Sequence, residues 1–154
     1  MMPKIIEDDW KYQIYNEDCF ETFKRIPDGS VDMILADPPY GTVNGVAAGD
    51  VEHGMKGRTG WDVKLNTADM LAECNRILRP NGALVLFAQD PYTSELITGA
   101  HGNLPFSYRY TWLKDHFANA LIAKKAPVNY TEDVLVFFKK YDTLNQHPLR
   151  EYSA

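Results

Sequence analysis

Side chains that bind metal ions are scarce in this sequence. The 154 residues include two cysteines and four histidines. Cys19 and Cys74 stand too far apart to form a CxxC pair, and the histidines show no HExxH spacing. Zinc sites are built from such closely spaced ligands. We therefore expect no metal site, and two reduced cysteines are typical of a protein that works in the cytoplasm.

Long apolar runs and an excess of positive charge are also missing. No apolar run approaches the roughly 20 residues of a membrane-spanning helix. The first ten residues, MMPKIIEDDW, lack the apolar core of a signal peptide. We expect no membrane association. The net charge of −5 excludes a protein that coats nucleic acid without specificity, although it is compatible with a local basic groove.

Helical and extended patterns alternate along the chain, as in α/β proteins. Residues 41–60 hold six of the ten glycines and are expected to form a loop. The last two strands have no clear helix between them and are expected to pair antiparallel. We expect one domain over residues 1–154, with a mainly parallel sheet, helices on both faces, and Trp112 and Phe137 in the core. The patterns predict strands over residues 12–15, 31–36, 83–88, 106–114 and 132–140, and helices over residues 20–26, 70–78 and 91–100.

One segment interrupts this alternation. Residues 31–41, VDMILADPPYG, run an apolar strand directly into an acid, two prolines, a tyrosine and a glycine. Proline fixes φ and has no N–H, so the turn is stiff and cannot continue a hydrogen-bonded ladder. Ligands of open α/β sheets bind beyond the carboxyl ends of strands, where this turn would lie. The alternative is a purely structural turn in which Asp37 acts as a cap.

The composition of this turn suits a planar substrate that carries an amino group. The carboxylate of Asp37 and the carbonyl of Pro38 can accept the two amino hydrogens, and Tyr40 can stack on the ring. An aromatic amine is a poor nucleophile because its lone pair is delocalised into the ring. Two acceptors on its hydrogens draw the nitrogen towards tetrahedral geometry and localise that pair. The turn therefore indicates transfer of a group to an amino nitrogen.

The segment ILADPPYG resembles the catalytic motif of the amino-methyltransferases. The succession of NEDCFETFKRIPDGSVDMILADPPYG, NRILRPNGALVLF and YRYTWLKDHFANALIAKKAPVNYTEDVLVFFKK is similar to the N-terminal half of the beta-type, permuted DNA methyltransferases, over residues 12–141. The resemblance implies an incomplete Rossmann-like fold, S-adenosyl-L-methionine as cofactor, and double-stranded DNA with a flipped-out target base. It also implies a restriction-modification role in the cytoplasm of a prokaryote or in a phage.

The same resemblance implies roles for individual residues. Asp37, Pro38, Pro39 and Tyr40 match the catalytic tetrapeptide, and Asp37 also borders the cofactor. Asp18 matches the family acid near the cofactor adenine, although an Asp before CFETFKRI could equally be a helix N-cap. Weaker candidates for DNA contact, with solvated charges and core aromatics as the alternative, are Lys56, Arg58, Lys64, Phe117, Lys124, Lys125 and Tyr130.

Several questions stay open at the level of sequence. Adenine N6 is favoured over cytosine N4 because Asp37 heads the motif, and RNA or a protein glutamine are further alternatives. The family continues with a target-recognition region and a second half that carries an FxGxG-type loop, which this sequence lacks. The chain therefore resembles a catalytic half: a fragment, a non-catalytic remnant that binds DNA or a partner, or one subunit of a split enzyme. A second methyltransferase half or a homo-oligomer would then complete the sheet, whose exposed edges favour self-association.

Overall fold

The computed structural model describes residues 13–41, 63–118 and 127–140. Three helices and four strands are present in these ranges. The elements in chain order are α1 (Cys19–Phe23), β1 (Val31–Ala36), α2 (Thr67–Ile77), β2 (Leu78–Ala88), α3 (Tyr92–Thr98), β3 (Phe106–Ala118) and β4 (Asn129–Phe138). The predicted strand over residues 31–36 and the helices over residues 70–78 and 91–100 are confirmed within a few residues at each end.

The longest helix, α2, begins and ends for reasons visible in the sequence. The side chain of Asn66 caps it by accepting hydrogen bonds from the N–H groups of Ala68 and Asp69. Its apolar residues recur at helical spacing, which buries one side of the helix. The backbone becomes extended at Leu78, so the RPNG segment lies at the start of β2 rather than at the end of the helix.

The sheet is mixed, with the strand order β1-β2-β4-β3. β1 pairs parallel to β2, and β4 pairs antiparallel to both β2 and β3. Three of the four described strands therefore run in one direction, and β4 runs in the other. This confirms the prediction of a mainly parallel sheet that ends in an antiparallel strand pair. Among the described strands, β1 and β3 form the two outer edges.

Helices α2 and α3 cover one face of this sheet. Phe137 and the alternate residues Leu84 and Leu86 are fully buried on that face, so the prediction that Phe137 lies in the core is confirmed. Arg76, in the last turn of α2, donates hydrogen bonds to the carbonyls of Phe23 and Ile26 and thereby ties α1 to the helical layer. The buried cluster comprises Met70, Leu71, Cys74, Leu78, Leu84, Leu86, Ala88, Tyr92, Leu96, Leu104, Leu135 and Phe137.

The opposite face of the sheet carries large apolar side chains that remain accessible. Trp112 is 50% exposed, so its predicted place in the core is wrong. Trp112 lies on the face of the sheet opposite to the helices, where no described element covers it. Its ring contacts that of Phe87, with centroids 6.0 Å apart. We call this surface the open face. Its exposed apolar residues are Met33, Leu35, Tyr108, Tyr110, Trp112 and Phe138.

Other predictions fail or fall outside the described ranges. Residues 13–15 are exposed and form no strand, so the predicted first strand is wrong for the part that is described. The strand pattern there had no neighbour to pair with among the described strands. The glycine-rich loop over residues 41–60 lies outside the described residues except for Gly41. No described helix has the length and apolar character needed to cross a membrane.

Candidate active site

The turn after β1 lies at an edge of the sheet where three described strands meet. β1 and β2 run parallel, so their carboxyl ends, at Ala36 and Ala88, are neighbours. β4 runs the other way and begins beside them, since Asp133 pairs with Ala88. At this edge Asp37 is exposed and Pro38 is buried. The stiff turn predicted from the sequence is thus placed where ligands of open sheets bind.

The side chain of Tyr40 connects this turn to the far side of the edge. Its ring lies against that of Tyr92, with centroids 5.8 Å apart and planes inclined by 33°. Its hydroxyl oxygen lies 2.7 Å from Oδ1 of Asp37 and 2.7 Å from Oε1 of Glu132. Burial raises the pKa of Tyr40 well above its ordinary value, and the hydrogen bonds to the two carboxylates raise it further. The hydroxyl therefore keeps its proton throughout the physiological pH range.

Glu132 is a site residue that the sequence analysis missed. Its side chain is only 12% exposed and forms an ion pair with Lys114 of β3. The charge of the buried acid is thus balanced on one side by an ammonium group and on the other by the Tyr40 hydroxyl. The signal was present in the sequence, because two acids, Glu132 and Asp133, directly precede the apolar run VLVFF of β4. Nothing in the sequence alone pointed to Tyr40 as the partner.

Asp133, the next residue, points to the helical side of the sheet. Its carboxylate accepts a hydrogen bond of 2.7 Å from Oγ1 of Thr93 in α3 and lies 3.6 Å from Nε of Arg109. A polar groove of about 620 Å³ lies on this side of the edge. The residues that line it include Gln89, Asp90, Arg109, Thr111, Asn129 and Asp133. Glu132 also lines this groove, so both carboxylates at the start of β4 border it.

Asp18 has the capping role that the sequence left open. Its side chain precedes α1 and accepts a hydrogen bond of 2.8 Å from the N–H of Phe20. The residue is exposed, and Oδ1 is the carboxylate oxygen that accepts this hydrogen bond. A role for Asp18 in cofactor binding stays a prediction.

The predicted DNA contacts are only partly within the described residues. Lys56, Arg58, Lys124 and Lys125 lie outside them. Lys64 forms an ion pair of 2.6 Å with Glu95, so in this conformation its ammonium group is bound to a carboxylate. Phe117 and Tyr130 lie edge to face, with centroids 5.9 Å apart, and are 49% and 44% exposed. They form an accessible aromatic pair near the end of β3 and the start of β4 rather than part of the core.

Comparison with known proteins gives a family match. The model of a family described as DNA methylase matches residues 31–153. The Type II methyltransferase M.BamHI of Bacillus amyloliquefaciens is 29% identical over 131 residues, which are 84% of this chain and 29% of that protein. The Type II methyltransferase M2.MboI of Moraxella bovis is 29% identical over 112 residues, 66% of this chain and 36% of that protein. The chain thus spans about a third of the length of these two relatives.

Two solved structures share the fold. The crystal structure of M1.HpyAVI has a TM-score of 0.55 and 21% identity, and the match covers 91% of this chain and 62% of that one. The crystal structure of TTHA0409 from Thermus thermophilus, described as a DNA modification methylase, has a TM-score of 0.54 and 18% identity, and covers 88% and 56%. Nearly all of this chain therefore corresponds to a little over half of each of these folds.

Proposed function

The chain belongs to the DNA methylase family, and on that premise we propose that it is the catalytic half of a DNA amino-methyltransferase. The reaction would transfer a methyl group from S-adenosyl-L-methionine to an exocyclic amino group of a base. The observation that carries this proposal is the turn after β1, where the Asp37 carboxylate and the Tyr40 ring lie together at the carboxyl edge of the sheet, with the Tyr40 hydroxyl oxygen 2.7 Å from Oδ1 of Asp37.

The mechanism follows from what each group of the turn can do. The exposed carboxylate of Asp37 and the carbonyl of Pro38 would accept the two hydrogens of the amino group, which localises the nitrogen lone pair. Tyr40 would stack on the base, which must leave the duplex to reach this edge. As the new C–N bond forms, the C–S bond of the methyl donor would break and release S-adenosylhomocysteine, and the Asp37 carboxylate would accept the proton that the nitrogen loses. The target would be adenine N6, with cytosine N4 as the alternative.

The described residues fit part of a site for the cofactor. When bound, S-adenosylmethionine supplies an electrophilic methyl group. Asp18 and Asp37 present exposed carboxylates, which suit the amino and hydroxyl groups of such a molecule. The sequence contains no FxGxG-type loop. We therefore expect the described residues to provide one side of the cofactor site, and a further part of the domain to provide the other.

The open face and the edge of β1 indicate where that further part would bind. Leu35 is 60% exposed, although it lies in a strand beside the fully buried strand residues of β2. Contiguous exposed apolar side chains mark protein contacts, and an unpaired edge strand can accept another strand. We propose that the remainder of the methyltransferase domain covers both. A homo-oligomer and a non-catalytic remnant are the alternatives.

A DNA-modifying enzyme acts where the DNA is, so we place this one in the cytoplasm of a prokaryote or of a phage-infected cell. The test is expression in a methylation-deficient bacterial host, alone and together with the polypeptides encoded on either side of this chain. Mass spectrometry of the digested host DNA would separate N6-methyladenine from N4-methylcytosine. We expect N6-methyladenine from the co-expressed proteins and none when Asp37 is replaced by Ala. Unmodified DNA in every combination would favour the non-catalytic alternative.

A further inference from the structure

Glu132 is a largely buried carboxylate with a polar partner on each side. Its side chain is 12% exposed, lies 2.7 Å from the hydroxyl of Tyr40, and is paired with Lys114 on its other side. Burying a carboxylate is costly unless it is paired and hydrogen-bonded. A hydrophobic residue at this position of the strand would avoid that cost. The ion pair and the hydrogen bond offset the cost, and both hold the acid against Tyr40.

The hydroxyl of Tyr40 has two acceptors but only one proton. It can donate to Asp37 or to Glu132 at any moment, and not to both. If the hydroxyl donates to Asp37, it lowers the capacity of that carboxylate to accept hydrogen bonds from the amino group of the substrate. If it donates to Glu132, Asp37 keeps its full capacity as an acceptor. Asp37 is exposed and can be solvated, whereas Glu132 is largely removed from water.

The ring of Tyr40 is held at both ends by this arrangement. Tyr92, which is 1% exposed, packs against the ring at a centroid distance of 5.8 Å. Glu132 holds the hydroxyl at the other end. A ring whose face and hydroxyl are both held has one orientation, and stacking on a base requires a ring in a fixed orientation. Pre-organisation of this kind lowers the entropic cost of binding in the reactive pose.

We infer that Glu132 is a positioning residue for the reaction. It accepts the hydrogen bond of the Tyr40 hydroxyl, which fixes the stacking ring and leaves Asp37 free to bind the substrate amino group. This inference rests on the proposed function, because that function makes Asp37 the acceptor for the substrate amino group. In this role Glu132 acts through Tyr40.

The test is a double-mutant cycle on the assembled enzyme, meaning this chain with the rest of its domain. Glu132→Met removes the acceptor at similar side-chain size, and Glu132→Gln keeps a neutral acceptor. We expect Glu132→Met to lower kcat about tenfold or more, the usual effect of losing a hydrogen bond to a charged group, with little change in KM for DNA. Glu132→Gln should recover part of kcat. In a Tyr40→Phe background, Glu132→Met should cause no further loss.

Two controls separate this role from a merely structural one. Glu73→Gln alters another ion-paired glutamate, which lies in α2 and pairs with Arg76 away from the candidate site; it should leave kcat unchanged. The second control repeats the Glu132 and Tyr40 cycle with the free energy of unfolding of the chain as the readout. We expect the effects of the two substitutions on this free energy to be non-additive. Additive losses in kcat, or additive effects on unfolding, would overturn the inference. Non-additive unfolding with no methyl transfer by the unmodified enzyme would instead overturn the proposed function and leave the contact intact.

Discussion

The hydroxyl of Tyr40 lies 2.7 Å from Oδ1 of Asp37, three residues earlier in the chain. One short turn thus carries both the acceptor for an amino group and the ring that can stack on a base. Pro38 and Pro39 between them fix φ at two positions, so the spacing between carboxylate and ring is set by the backbone.

Replacing Asp37 with Ala should abolish methyl transfer by the assembled enzyme while DNA binding stays within a few-fold of normal. The carboxylate acts on the amino group during reaction, and loss of one such preorganised group costs about 3–4 kcal/mol of transition-state stabilisation. Transfer of tritiated methyl groups to DNA measures the effect, and filter binding measures affinity. Asp32→Ala is the matched control, because Asp32 lies in β1, the strand that leads into Asp37, and is paired with Arg79 instead. A variant with near-normal turnover would remove Asp37 from the mechanism.

Replacing Tyr40 with Ala should weaken capture of the target base by roughly 1–3 kcal/mol, the value of a base–aromatic stack. Tyr40→Phe keeps the ring and should retain most of this binding. Fluorescence of 2-aminopurine at the target position reports the base leaving the duplex. An unchanged signal with Tyr40→Ala would show that the ring does not stack on the base.

The chain by itself should bind S-adenosylmethionine weakly or not at all, and should transfer no methyl groups. Each polar anchor missing from the site costs about 1 kcal/mol or more, and 1.4 kcal/mol is a factor of about ten in affinity. Calorimetric titration of the pure chain tests this, with the assembled enzyme as the positive control. Tight, stoichiometric binding by the chain alone would mean that its own residues complete the site.

Placing charge on the open face should reduce self-association of the chain. Leu35→Glu combined with Trp112→Glu should shift the particle size towards that of a monomer, because both side chains are at least half exposed on this face. Light scattering over a range of concentrations measures the change. Ile14→Glu is the control, since Ile14 is 70% exposed but lies outside the sheet. An equal decrease in particle size with Ile14→Glu would show that net charge, rather than the open face, causes the change.

The stability of the chain should fall as the pH rises above 9. Burial raises the pKa of the Cys74 thiol from 9.0 to about 12. The folded state therefore holds a proton that the unfolded state releases, and the free energy of unfolding drops by about 1.4 kcal/mol per pH unit for this group between those values. Urea unfolding between pH 8 and pH 11 measures the slope. Cys74→Ala should be less stable at pH 8 but show a shallower decline, and identical slopes would contradict the assignment.

Much of the fold could be predicted from the sequence because the relevant signals are local. The apolar periodicity of α2, the apolar runs of β1 and β2, and the proline turn after Ala36 each depend on a few adjacent residues. The sequence predicts a core position for both Phe137 and Trp112, which is correct for Phe137 and wrong for Trp112. Both are large and apolar, and only the pairing of β3 with β4 shows that they face opposite sides of the sheet.

The candidate site was predictable only in part for a related reason. The Asp37 to Tyr40 segment is contiguous, so its chemistry can be considered from sequence alone. Glu132 is 92 residues away from Tyr40 and reaches it through the pairing of β4 with β2. A contact of that kind depends on strand order, which a single sequence does not specify. The resemblance to a family supplied the first part of the site and not the second.

The end of the sheet opposite to the candidate site is closed by hydrogen bonds between distant parts of the chain. The N–H of Asn81 donates to the carbonyl of Lys139 at 2.8 Å, and the N–H of Lys139 donates to the carbonyl of Gly82 at 2.9 Å. The ammonium group of Lys139 also binds the carbonyls of Asn75 and Leu78 where α2 ends. These amides should exchange with solvent deuterium only when the whole domain opens. The opposite end therefore keeps β2 and β4 in register, whatever binds at the carboxyl edge.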